Sequence, residues 1–217
     1  MATTIWTERL RLEPWREVHN EMLVALSAMP EVTRYVGDGQ PWSPSRAHEV
    51  AAAISEHWLR HSFGWRAAYL RTHGDTAGPA VGRPVGLIAF SLAGAGAGVG
   101  PDEYEIGWWL DPSVWGRGLA REGAAAVRDD GFINVGAPDI LARIQPANSA
   151  SMAVATAIGL TFEGSSRGRG GEPISVLRLT ADRWRHADLQ RPAVPQPVQR
   201  EAGPGDHPGP ASQPLSV

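Results

Sequence analysis

The segment richest in chemical possibility is Leu110-Asp-Pro-Ser-Val-Trp-Gly116-Arg-Gly118-Leu-Ala120, which lies between a strand-like run and a helix-like one. Glycine at 116 and 118 permits a tight turn and close backbone approach to a ligand, and the amides and positive end of the following helix attract phosphate. The spacing fits two things, a pyrophosphate cradle or an ordinary strand-to-helix loop, because glycine pairs are frequent at such junctions. Just upstream, Tyr104, Ile106, Trp108 and Leu110 alternate with Glu105, Gly107 and Trp109, so a strand would put them on opposite faces. Glutamate is a poor strand former. Glu105 is either a general base in a cleft, where burial would raise its pKa, or a solvated or ion-paired strand residue. Asn148 and Ser151 form a third candidate pair. Asn148 after Pro146-Ala147 suits a helix N-cap with Ser151 in the first turn, and both side chains also have ligand-binding chemistry.

Other residue types remove options. The chain of 217 residues has no cysteine, and all 20 of its basic residues are arginine. Disulfides, thiolate nucleophiles, acyl-cysteine intermediates and cysteine-based zinc sites are excluded, as are Schiff-base lysines and the lysines of phosphate loops and protein kinases. A formal charge of −3, from 20 basic and 23 acidic residues, is too balanced for the basic footprint of a nucleic-acid or anionic-membrane binder. Neither partner is expected. The run Gly94-Ala-Gly-Ala-Gly-Val-Gly100 fails the dinucleotide-binding pattern at Val99 and precedes a strand, so it reads as a flexible hairpin connection. His57 and His61 stand four apart on a helix without a third ligand, which reads as a solvated face, and His48-Glu49 lacks a second histidine. No metal is expected.

These residues need a scaffold. Arg9–Leu12, Trp65–Leu70, Val85–Leu92, Tyr104–Leu110, Ile140–Ile144, Thr161–Glu163 and Ile174–Leu179 have strand character. Val18–Ala28, Ala47–Arg60, Leu119–Arg128 and Ser149–Ile158 have helical spacing, the second opened by a Ser43 cap and Pro44. That order predicts a mixed α/β (α+β) fold with one principal sheet. From His186 onward, seven of 32 residues are proline and large apolar side chains nearly vanish, so 1–185 reads as the folded domain and 186–217 as a flexible tail. No basic cluster leads an apolar run at the start, and no stretch approaches the ~20 apolar residues of a membrane span, so a cytoplasmic protein is expected.

Four segments, in order, resemble one family. Trp115-Gly-Arg-Gly-Leu-Ala120 is similar to the acyl-CoA loop of the GNAT superfamily of N-acetyltransferases, in the Trp-Gly-x-Gly-x-Ala form of its RimJ/RimL branch. Thr7-Glu-Arg-Leu-Arg-Leu12 resembles the branch's opening strand, Tyr104–Leu110 its fourth strand, and Asn148-Ser-Ala-Ser151 with Ile158-Gly-Leu160 its Asn-x-x-Ser helix and following turn. The resemblance covers about residues 5 to 185 and implies a single central, mostly antiparallel sheet flanked by helices. It implies acetyl-CoA as co-substrate, an amine acceptor as partner, and direct transfer by a monomer or homodimer. Glu105 becomes the base, and Ser151 or a water becomes the proton donor to the departing thiolate, in place of the tyrosine many members use. Leu110, Trp115, Gly116, Arg117, Gly118, Leu119, Ala120 and Asn148 become the acyl-CoA contacts, with Arg117 and Arg121 able to add charge. Tyr35, Trp42 and Trp109 become the acceptor wall. The Arg167–Gly171 loop lacks the aspartate usual in the branch before the last strand, which leaves the acceptor open.

Overall fold

The computed structural model describes residues 3–71, 82–92, 103–168 and 170–189. Two short antiparallel strands, Ile5–Trp6 (β1) and Leu10–Pro14 (β2), lead through a single turn of 3₁₀ helix to the helices Asn20–Ser27 (α1) and Pro30–Thr33 (α2). Ser43 then caps Pro44–His61 (α3), its hydroxyl accepting from the Arg46 amide at 3.2 Å with proline at the first helical position. Strands Arg66–Leu70 (β3), Gly86–Leu92 (β4) and Tyr104–Leu110 (β5) precede Leu119–Asp130 (α4), which ends in a π-helical turn. Asp139–Ile144 (β6), Ser149–Ala157 (α5), Thr161–Arg167 (β7), Pro173–Thr180 (β8) and Ala181–Leu189 (α6) complete the order.

Among the described residues the eight strands form one sheet in the order β1-β2-β3-β4-β5-β6-β8-β7. Every neighbouring pair is antiparallel except β5 with β6, which run parallel and align at a single position, Glu105 opposite Leu141. This is the mixed fold with one principal sheet that the element order predicts, and the mostly antiparallel sheet flanked by helices that the family resemblance implies. Alternation along the strands divides two cores. Ile88, Phe90, Ile106 and Leu110 face α4 and α5, while Leu87, Ala89 and Trp109 face α1 and α3. Helix α4 lies so close to the sheet that a Cβ on Gly123 would come 3.0 Å from the Ile88 side chain.

Several boundaries differ from the sequence reading. β7 continues to Arg167, and α6 runs Ala181–Leu189, across residue 185. The rest of the proline-rich segment and the Gly94–Gly100 run lie outside the described residues. His57 is not on a solvated face. Its Nδ1 meets the Phe63 carbonyl at 2.9 Å and its Nε2 accepts from the Leu92 amide at 3.2 Å, so both ring nitrogens hold the fold together.

Candidate active site

The parting of β5 from β6 makes the site. Beyond Glu105 and Leu141 the two strands diverge, and a cavity of about 1210 Å³ opens between them, running from the start of α4 to the α2 segment. At the closed end of the wedge, Arg178 on β8 gathers three carboxylates, Glu103 just before β5 at 2.6 Å, Glu163 on β7 at 2.9 Å and Asp139 on β6. That cluster pins the strands where they still touch.

The loop into α4 is built by its glycines. Gly116 and Gly118 have φ of +72° and +74°, in the left-handed region where a side chain is strained, and Gly118 is the N-cap of α4. With no side-chain cap, the first turn of α4 presents amides without intrahelical acceptors towards the cavity. Asp111 shapes the approach by accepting from the Ser113 amide at 3.0 Å. Trp115 donates its indole N–H to the Leu110 carbonyl at 2.7 Å, which closes the loop on the end of β5. Leu110, Trp115, Gly116, Gly118, Leu119, Ala120 and Arg121 line the cavity. Arg117 does not; its side chain is exposed and its carbonyl turns back to accept from Arg9 Nη1 at 2.8 Å.

Glu105, Asn148 and Ser151 line the same cavity. The surroundings of Glu105 differ from the apolar wall expected of a cleft acid. Arg143 on β6 grips its carboxylate in a two-pronged contact, Nε to Oε1 at 3.1 Å and Nη2 to Oε2 at 2.8 Å, so the alternative of an ion-paired strand residue is realised inside the cavity. Arg143 is the residue that the sequence reading missed. It stands in the Ile140–Ile144 run as one charged side chain among apolar ones, and that oddity was the available signal. Asn148 caps α5, its Oδ1 accepting from the Ser151 amide at 3.1 Å, while its amide nitrogen stays available for a ligand.

On the acceptor side, Tyr35 and Trp109 line the cavity together with Trp65. Trp42 does not reach it. Trp42 stands edge-on behind Trp109, ring centroids 5.1 Å apart, with Arg46 over its outer face, so it sets the angle of Trp109 instead of touching a ligand.

A wedge between strands, a left-handed glycine loop at a helix start and a carboxylate at the closed end meet in one cavity. Residues 9–161 match the model of the acetyltransferase (GNAT) domain, and the chain belongs to that family. It is 31% identical over 163 residues to FsC-acetyl coenzyme A-N(2)-transacetylase of Aspergillus fumigatus, an alignment spanning 73% of this chain and 65% of that protein. The chain therefore spans less than two thirds of that relative. Among solved structures it resembles an acetyltransferase from Agrobacterium tumefaciens, with a TM-score of 0.67 at 27% identity over 82% of this chain and 95% of that one. The fold is also that of RimL, a ribosomal L7/L12 alpha-N-protein acetyltransferase bound to coenzyme A, with a TM-score of 0.62 at 16% identity over 83% and 99% of the two chains.

Proposed function

We propose that this chain moves an acetyl group from acetyl-CoA directly to a primary amine, a protein N-terminus or a small-molecule amine, on a RimJ/RimL-type version of the GNAT fold. One observation carries the reading: a single cavity joins the Gly118-led end of α4, the parted strands β5 and β6, and the Glu105–Arg143 pair. The amides of Gly116 to Ala120, with Arg121 beside them, suit a diphosphate. The exposed edges of β5 and β6 and the Asn148 amide suit the amide-bearing arm that follows it. Tyr35, Trp65 and Trp109 form the wall against which an acceptor would rest.

The chemistry then falls to named groups. The amine nitrogen bonds to the thioester carbonyl carbon, the carbon–sulfur bond breaks, and one amine proton must leave. Glu105 takes that proton, through carboxylate lone pairs that Arg143 leaves unused or through a water, and Ser151 or a water returns one to the thiolate. Backbone amides along the wedge are the available donors to the oxyanion.

The hold of Arg143 on both Glu105 oxygens favours one other reading, a module on the same fold that binds acyl-CoA or a partner without chemistry. A thiol-release screen separates the two. Acetyl-CoA is presented with N-terminal peptides, aminoglycosides and metabolite amines, and products are located by mass spectrometry. Release with one class supports transfer. Thermal stabilisation by acetyl-CoA with no release from any class supports the binding module.

A further inference from the structure

Glu122 lies in the first turn of α4, the helix end assigned above to a diphosphate. A carboxylate there opposes an anion, because both seek the same positive end of the helix and two negative groups so close repel. The structure turns this carboxylate away from the cavity and gives both of its oxygens to the opening strand segment. Thr7 Oγ1 and the Arg9 amide donate to Oε1 at 2.6 and 2.7 Å, and Arg9 Nε donates to Oε2 at 2.6 Å. The same guanidinium sends Nη1 to the carbonyl of Arg117 at 2.8 Å, at the peptide between the two left-handed glycines. Burial acts to raise the Glu122 pKa, but the Thr7 and Arg9 hydrogen bonds outweigh it and hold the group below its ordinary value.

We infer that Arg9 is a positioning residue for the diphosphate end of the acyl-CoA site: it fixes the Gly116–Gly118 loop through the Arg117 carbonyl and cancels the charge of Glu122. The inference rests on the acetyl-CoA reading above. Arg9 does not line the cavity and touches no reacting atom, so among ligands its effect appears in the binding of those that bear a diphosphate.

The test is calorimetric binding of acetyl-CoA, and of S-acetylpantetheine as a competing ligand that lacks the diphosphate, to the full chain. Arg9→Gln should weaken acetyl-CoA about tenfold, the change equivalent to ~1.4 kcal/mol, and leave S-acetylpantetheine within about twofold. Arg9→Lys keeps the charge but cannot span both acceptors, so its loss should be smaller. The signature lies in the double variant: with the stranded carboxylate gone, Arg9→Gln/Glu122→Gln should bind acetyl-CoA more tightly than Arg9→Gln alone. A merely structural role predicts the reverse order. Equal losses for both ligands, an unchanged acetyl-CoA affinity, or a double variant weaker than the single one would each overturn the inference. If the wild-type chain binds S-acetylpantetheine and acetyl-CoA equally weakly, the diphosphate reading of the loop fails as well.

Discussion

Lowering the pH from 7 to 5 should destabilise this protein through His19. The ring is 0% exposed and stands edge-on to Trp15 and Tyr69, at centroid distances of 5.5 and 6.0 Å. Its Nδ1 accepts the Arg16 amide at 3.0 Å, a bond that protonation of that nitrogen would abolish. Burial first, and then the Arg16 charge, lower its pKa from 6.5 to about 4, with Glu13 offsetting only part of this. Because the folded pKa is depressed, the unfolded chain binds the proton more readily. Stability is full above the unfolded value of 6.5 and falls as the pH drops towards 4. Linkage with those two values gives a loss of ~2 kcal/mol at pH 5. Urea unfolding at pH 7, 6 and 5 measures it; with a slope of ~2 kcal/mol per molar, the midpoint should drop by about 1 M. Burial also lowers the pKa of His57, which adds a loss of the same sign. His19→Asn isolates the first term, since its side-chain oxygen can accept the Arg16 amide without titrating. The variant should lose ~2 kcal/mol less than wild type between pH 7 and 5. Parallel pH curves for the two proteins would refute the assignment.

Three other expectations follow from the site and its supports. Glu105→Gln should lower turnover with an amine found in the thiol-release screen by about a hundredfold. Its acetyl-CoA affinity by calorimetry should stay within about threefold, and equal losses in both would remove Glu105 from the base role. Gly86→Ala should cost about 2–3 kcal/mol in chemical denaturation, because the added Cβ would lie 2.3 Å from the Trp109 carbonyl oxygen, beside the strand end that lines the cavity. Arg178→Met should cost on the order of 2 kcal/mol in the same assay, since it removes the guanidinium that ties Asp139 and Glu163 on the two flanking strands.

Local chemistry made some elements readable from the sequence. The Tyr104–Leu110 strand alternates cleanly between two cores, the Ser43-Pro44 pair is a strong helix start, and the two glycines before Leu119 mark the entry to α4. β7 was underestimated because Gly164-Ser165-Ser166 carries no apolar alternation; as the sheet's edge strand it is held mainly by backbone pairing with β8. β1 is two residues long and exists through its register with Leu12 and Arg11, which no local pattern encodes. The site shows the same division. The glycine loop and Glu105 were visible as motifs, whereas Arg143 reaches Glu105 across 38 positions and Arg9 reaches Glu122 across 113, partnerships that only the sheet order creates. The family resemblance puts Trp42 in the acceptor wall; its place behind Trp109 depends on how the segment leading into α3 packs.

Between β5 and β6 the five strands on one side and the three on the other share a single aligned pair. Above that pair, two facing backbone edges lie too far apart to bond each other, and each bears donors and acceptors at strand spacing. A thioester co-substrate whose arm carries two amides can enter as a guest strand and restore rungs that the polypeptide does not supply. The amide hydrogens on the facing edges of β5 and β6 should exchange more slowly when the wedge is filled than when it is empty.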